Sequence, residues 1–255
     1  MSNASARTLD EITHSNSFSI CAAPEDLPFS AKDAATPGFY IEIAQKISAA
    51  LGVELRVDWI PSREQIRNTT CDAVMGAAAP DDLGKFEEAG KKAIKARILT
   101  VPYMTAAVVL AMPAGHKEVR TIGDLNKMHV AVPSGSVIHK LLNDNGVPVW
   151  VRFRSDTDIM EAVLSGHADA GVVSQAAFGW YLKSKPQTSL VASDRVFDNP
   201  DLQYKVAIGL RRTNIETVTR INEILKRLMI EGVISEILGK YGLKSAPPYQ
   251  AAEIR

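Results

Sequence analysis

The chain has 255 residues, 46% hydrophobic and 23% charged, the composition of a folded globular protein with room for one large domain or two lobes. Lys plus Arg and Asp plus Glu both total 29, so the formal net charge is zero and the pI is near 7. That balance argues against nucleic acid and anionic membrane surfaces, which need a basic footprint. No run reaches the ~18 apolar residues of a bilayer span.

Met1 to Ala4 has neither a charged n-region nor an apolar h-region. It reads as a tag remnant on a chain whose signal peptide has been removed, with residues 1–15 flexible. Phe18 to Ser30, FSICAAPEDLPFS, is an apolar run that stops abruptly at Pro24-Glu25-Asp26. This pattern predicts a buried first strand opening into a loop at the carboxyl edge of a sheet, where open α/β sheets bind ligands. Glu25, Asp26 and Phe29 are therefore candidate site residues, although a polar loop pinned by Phe29 gives the same pattern.

Past Pro37-Gly38, Phe39, Ile43, Ile47 and Leu51 recur at intervals of four and Gly52 follows, predicting an amphipathic helix. Residues 53–60 alternate as a strand, 62–69 read as a short polar helix, and 71–79 are an apolar run ending in small residues. The order β, α, β, α, β predicts a parallel sheet. Residues 81–95 mix lysines with acids and glycines and read as a solvated insertion. Residues 106–113 form a clear strand.

A second α/β unit follows. Strand 129–132 runs into Pro133-Ser134-Gly135-Ser136, and the spacing of Val137 and Leu141 starts a helix there. Free N–H groups at such a helix start can hold an anionic or carbonyl oxygen, and a serine there also serves as an N-cap. Residues 148–153 read as a strand, 156–166 as a helix, and 168–174 as a strand with Ser174 at its edge. Residues 174–185 read as a helix whose Phe178, Trp180 and Tyr181 pack. Residues 204–212 read as a strand, followed by two helices broken at Gly232.

Cys21 and Cys71 are the only cysteines and lack a metal spacing. Cys21 lies near the end of the first strand and Cys71 at the start of the third. An offset of about five residues at ~3.3 Å each argues against a disulfide between them.

Two strand-turn-helix halves with a returning C-terminal segment resemble the type II periplasmic solute-binding protein fold. LPFS with Gly38-Phe39, CDAVMGA, LTVPY, VAVPSGS, SGHADAGVV and VAIGLRR, in that order over residues 17–245, resemble family 3 of the extracellular solute-binding proteins. Within that family, ICAAPEDLPFS, WIPSREQIRNT and ADAGVVSQAAFGWYL are similar to solute-binding-like accessory proteins of periplasmic quinoprotein alcohol dehydrogenases. The resemblance implies a periplasmic monomer of two α/β lobes, each a mostly parallel sheet flanked by helices. Lobe one would be 16–104 plus 205–255 and lobe two 105–204, with hinge crossovers between them.

It further implies a cleft walled by Pro24, Glu25, Asp26, Phe29, Gly76, Ala77 and Tyr103 on one side and Ser134, Gly135, Ser136 and Ser174 on the other. Its contents would be a small polar ligand. Amino-acid-binding members hold the ligand carboxylate with an arginine after strand three, absent from 77–84 here, where Arg97 lies beyond the insertion. They hold the amine with an aspartate where this chain has Ser174. A standard amino acid would thus lose two charge-assisted anchors of ~1.5–3 kcal/mol each.

The partner implied is an ABC permease or, in the accessory reading, a quinoprotein dehydrogenase or its cytochrome. The five histidines, 14, 116, 129, 139 and 167, have no ligand spacing, and no GxSxG, HExxH or P-loop occurs, so neither cofactor nor metal nor catalysis is expected. A cyclohexadienyl-dehydratase-like enzyme, in which Glu25 would matter, is a third reading.

Overall fold

The computed structural model describes residues 7–33, 35–60, 66, 68–79, 93–94, 97–134, 136–153, 155–193, 197, 202–211 and 213–243. The polar segment 61–65 and the insertion at 81–92 lie outside them. The chain divides into two compact units, one holding the described residues up to Thr105 with Lys205–Lys240, the other Ala106–Tyr204 with Tyr241–Leu243.

The first unit begins with helix α1 (Leu9–His14), where the sequence suggested a flexible N-terminus. The correction has a local cause. Thr8 and Glu11 form a capping box, Ile12 is buried, and the preceding Arg7 is clamped to Asp72. Strand β1 (Ser17–Ala22) follows, then the short antiparallel pair β2 (Glu25–Asp26) and β3 (Ser30–Ala31). Helix α2 spans Phe39–Leu51 and ends at Gly52, whose φ of 72° suits a residue without Cβ. Its apolar stripe buries Phe39, Ile43 and Ile47, and the buried face widens to Ile41, Ala44 and Ser48.

Strands β4 (Glu54–Trp59), β5 (Ala73–Ala79), β6 (Ala93–Ile94) and β7 (Arg97–Leu99) continue this unit. β1 lies between β4 and β5 and is parallel to both.

The second unit holds most of β8 (Met104–Pro113), a 3₁₀ turn (Ile122–Lys127), β9 (Val130–Ala131), α3 (Val137–Asp144), β10 (Val149–Trp150), α4 (Asp156–Leu164), β11 (Ala170–Ser174), α5 (Gln175–Ser184) and β12 (Leu190–Ser193). Its strands run in the order β10, β9, β11, β8, β12. The first three are parallel, and β8 is antiparallel to both neighbours.

Alternation along the strands explains why both faces carry helices. Leu110, Met112, Val130 and Val172 face a core with Ile138 and Leu142 of α3, whereas Val109, Ala111, Ala131 and Val173 face Ile159, Met160 and Val163 of α4 and Phe178 and Tyr181 of α5. A sheet buried on both faces is the parallel α/β arrangement.

The chain then returns to the first unit through β13 (Gln203–Arg211), which lies antiparallel between β5 and β7. Helices α6 (Ile215–Ile230) and α7 (Val233–Lys240) pack on α2. After α7, Tyr241 and Leu243 are buried with the second unit, Tyr241 against Trp180. Gly242 and Gly179 touch backbone to backbone, a contact that a side chain on either would break.

Cys21 and Cys71 form a disulfide, with Cα atoms 5.6 Å apart, contrary to the register argument. In the ladder Cys21 stands opposite Val74, so a straight extension of β5 would leave Cys71 about 10 Å away. The chain is not straight there. It bends at Asp72, whose N–H donates to Ser19 O at 2.9 Å. Cys71 thereby folds beneath Cys21 into a small cluster with Ile60 and Ile66.

Candidate functional site

The loop after β1 is built by the helix it precedes. Pro28 O and Phe29 O accept the N–H groups of Phe39 and Tyr40 at 2.9 and 3.0 Å, and Gly38, at φ 97°, lies against the backbone of Phe29 and Ser30. The start of α2 is thus satisfied by the loop itself. Ser30 Oγ ties the loop's base by donating to Ala23 O at 2.7 Å. Glu25 and Asp26 are exposed on β2, Pro24 is half-buried at its base, and Phe29 is half-buried against Phe39 and Tyr40, ring centroids 5.2 and 5.4 Å away.

Tyr40, which sequence reasoning passed over, leads to β5. A Cβ on Gly76 would come within 2.5 Å of the Tyr40 hydroxyl, so Gly76 leaves that hydroxyl room on the strand backbone. Ala77 is half-buried beside it. Phe29, Tyr40 and Gly76 therefore form one surface. Tyr103 is buried rather than on that surface: the side chain is 1% exposed and its hydroxyl donates to Met75 O, in the peptide that leads to Gly76, at 2.9 Å.

In the second unit Ser134 is exposed, Ser136 is the N-cap of α3, and Gly135 lies outside the described residues. Ser136 Oγ accepts from His139 N–H at 3.1 Å and donates to Pro133 O at 2.8 Å. Both roles of the Ser136 hydroxyl are internal.

Ser174 is likewise the N-cap of α5, accepting from Ala177 N–H at 3.1 Å. Its own hydroxyl and N–H both donate to Asp156 Oδ2, at 2.7 and 3.0 Å. Asp156 is the residue that sequence reading missed, because it appeared only as the first residue of a helix. Burial raises its carboxyl above the usual aspartate value, and the two bonds from Ser174 act the other way. A carboxylate thus stands at the carboxyl end of β11 after all, supplied by α4.

Among the described residues no group of three or more His, Cys, Asp or Glu side chains is placed to hold a metal ion. No helix among them is long and apolar enough to cross a membrane.

Solved structures share the fold. An ancestral cationic amino acid solute-binding protein is 22% identical, with a TM-score of 0.75 over 92% of this chain and 99% of its own. MxaJ from Methlophaga aminisulfidivorans is 19% identical, with a TM-score of 0.69 over 90% and 100%. The amino acid ABC transporter substrate-binding protein AbpA from Streptococcus pneumoniae, solved with L-arginine, is 17% identical, with a TM-score of 0.68 over 91% and 97%. No curated protein matches the chain. Residues 18–244 match the model of the bacterial extracellular solute-binding proteins, family 3, and with that span covered the chain belongs to this family.

Proposed function

We propose that this protein is a periplasmic receptor for a small polar solute, which it takes at the carboxyl ends of its strands and hands to a membrane permease. The family match over residues 18–244 carries this reading. The buried Cys21–Cys71 disulfide supports an oxidising compartment, since such bonds persist outside the cytosol. A standard α-amino acid is a poor fit, because the sequence from Ala77 to Gly84 contains no arginine for its carboxylate.

Native mass spectrometry of the protein as purified, followed by a thermal-shift screen of metabolites, tests the reading. A retained small molecule, or a solute that raises Tm in a saturable way, is expected. If no solute binds and the protein instead captures a purified quinoprotein dehydrogenase or its cytochrome, the accessory role suggested by ICAAPEDLPFS and ADAGVVSQAAFGWYL replaces it. Turnover of prephenate or arogenate would replace it with an enzyme; an ancestral amino acid-binding protein of the same fold is a precursor of cyclohexadienyl dehydratase.

A further inference from the structure

Asp156 occupies a setting unlike that of the other carboxylates. Both bonds from Ser174 end on Oδ2, and among the described residues Oδ1 has no partner. The other buried or half-buried carboxylates among those residues each hold a cation: Asp72 has Arg7, Glu42 has Lys240 and Asp58 has Arg56. Among the described residues Asp156 has neutral donors alone.

Asp156 is half-buried. Withdrawing a carboxylate partly from water without a counter-charge is costly, and the positive end of α4, on which Asp156 sits, offsets only part of that. The fold does not require the charge. An asparagine oxygen would accept the same two bonds from Ser174 without the desolvation penalty. What the negative charge adds is an oxygen able to receive a charged donor from outside the chain. The strand end on which it lies is where open α/β sheets bind ligands.

We propose that Asp156 Oδ1 is the cation-recognising atom of the solute site, and that the solute carries a primary ammonium or guanidinium group. This rests on the solute-binding reading above. The bond would be charge-assisted, of the short N⁺–H···O⁻ kind, and Ser174 would hold the carboxylate's other oxygen.

Protein labelled with ¹³C at aspartate carboxyls tests this without knowledge of the natural solute. The probes are n-butylammonium, 1,4-diaminobutane and butylguanidinium, each against 1-butanol or 1,4-butanediol at matched sodium chloride. The Asp156 resonance, assigned by its loss in Asp156→Asn, is expected to move saturably with at least one cationic probe and with no alcohol. Binding of that probe is expected to weaken ~10-fold or more in Asp156→Asn and less in Asp156→Glu, with circular dichroism and Tm verifying that both variants fold.

The inference is overturned if no cation saturates the resonance, if the alcohols move it equally, or if Asp156→Asn binds the probe as tightly as wild type. A solute retained equally by wild type and Asp156→Asn in native mass spectrometry would also overturn it, while leaving the solute-binding reading standing. Failure of every solute and probe to bind wild type would overturn both.

Discussion

Arg7 grips both oxygens of the buried Asp72: Nε donates to Oδ1 at 2.7 Å, and Nη2 pairs with Oδ2. The same carboxylate accepts from Ser19 N–H and Oγ at 2.7 and 2.8 Å. One arginine thus fastens α1 to the junction of β1 and β5.

Arg7→Ala leaves Asp72 buried and short of its cation, and such a loss costs about 3 kcal/mol. Urea denaturation should show the midpoint falling accordingly. Arg7→Ala combined with Asp72→Asn should cost less than the sum of the single changes, because the double variant buries no unpaired charge. Strict additivity would show that the pair is not coupled.

The disulfide closes a loop across a sequence separation of 50 residues. In the chain-entropy account this stabilises by about 4 kcal/mol. Cys71→Ser, or dithiothreitol added to wild type, should therefore lower the denaturation midpoint to similar extents. Wild type unfolded without reductant should release no thiol to Ellman's reagent, and two reactive thiols there would refute the bond.

Gly76→Ala should force the Tyr40 ring off β5, because the new methyl would lie 2.5 Å from its hydroxyl and 3.1 Å from Cζ. The ring is wedged between Phe29 and Phe39 and has little room to give. A loss of about 1–2 kcal/mol is expected, shrinking in a Tyr40→Ala background. An unchanged Tm would mean that the aromatic cluster yields freely.

Because burial, opposed by the Ser174 bonds, raises the Asp156 carboxyl, the folded protein holds this proton more tightly than the unfolded chain does. Its stabilising contribution is therefore full below the ordinary aspartate value of 3.8 and is lost as pH rises through the raised folded value. Without solute, the stability of Asp156→Asn relative to wild type should climb from about pH 4 and level off toward neutrality. A flat difference across that range would place the carboxylate in water.

Much of the fold was legible because burial and periodicity coincide: the stripe from Phe39 to Ile47 and the alternation along β8 and β11 are core patterns. Relationships that depend on a bend or a reach were not. Cys71 meets Cys21 because the chain turns at Asp72, which no strand count reveals. Asp156 meets Ser174 across 18 residues of sequence, and helical spacing gives no hint that a first-turn carboxylate turns toward a strand end. Helix α1 did have a signal: Thr8 and Glu11 carry the capping-box spacing, passed over because the segment read as a flexible terminus. In PVWVRF only Val149–Trp150 form a strand, at the sheet's edge, where apolar character exceeds what pairing uses.

The placement of β13 between β5 and β7 sets the order in which this molecule can be completed. The ribosome must make all of Ala106–Tyr204 before that strand exists, which at ~5–20 residues per second leaves β5 lacking this neighbour for about 5–20 s. During that interval the second unit, continuous apart from three residues, has nearly everything it needs to fold. The first unit exposes an unpaired strand edge open to wrong partners. A nascent chain of this topology is thus held half-finished until late in synthesis. Tyr241–Leu243 can dock beside Trp180 and Gly179 only after α7 has emerged, so one of the last contacts made ties the end of the described chain back to a helix completed long before it.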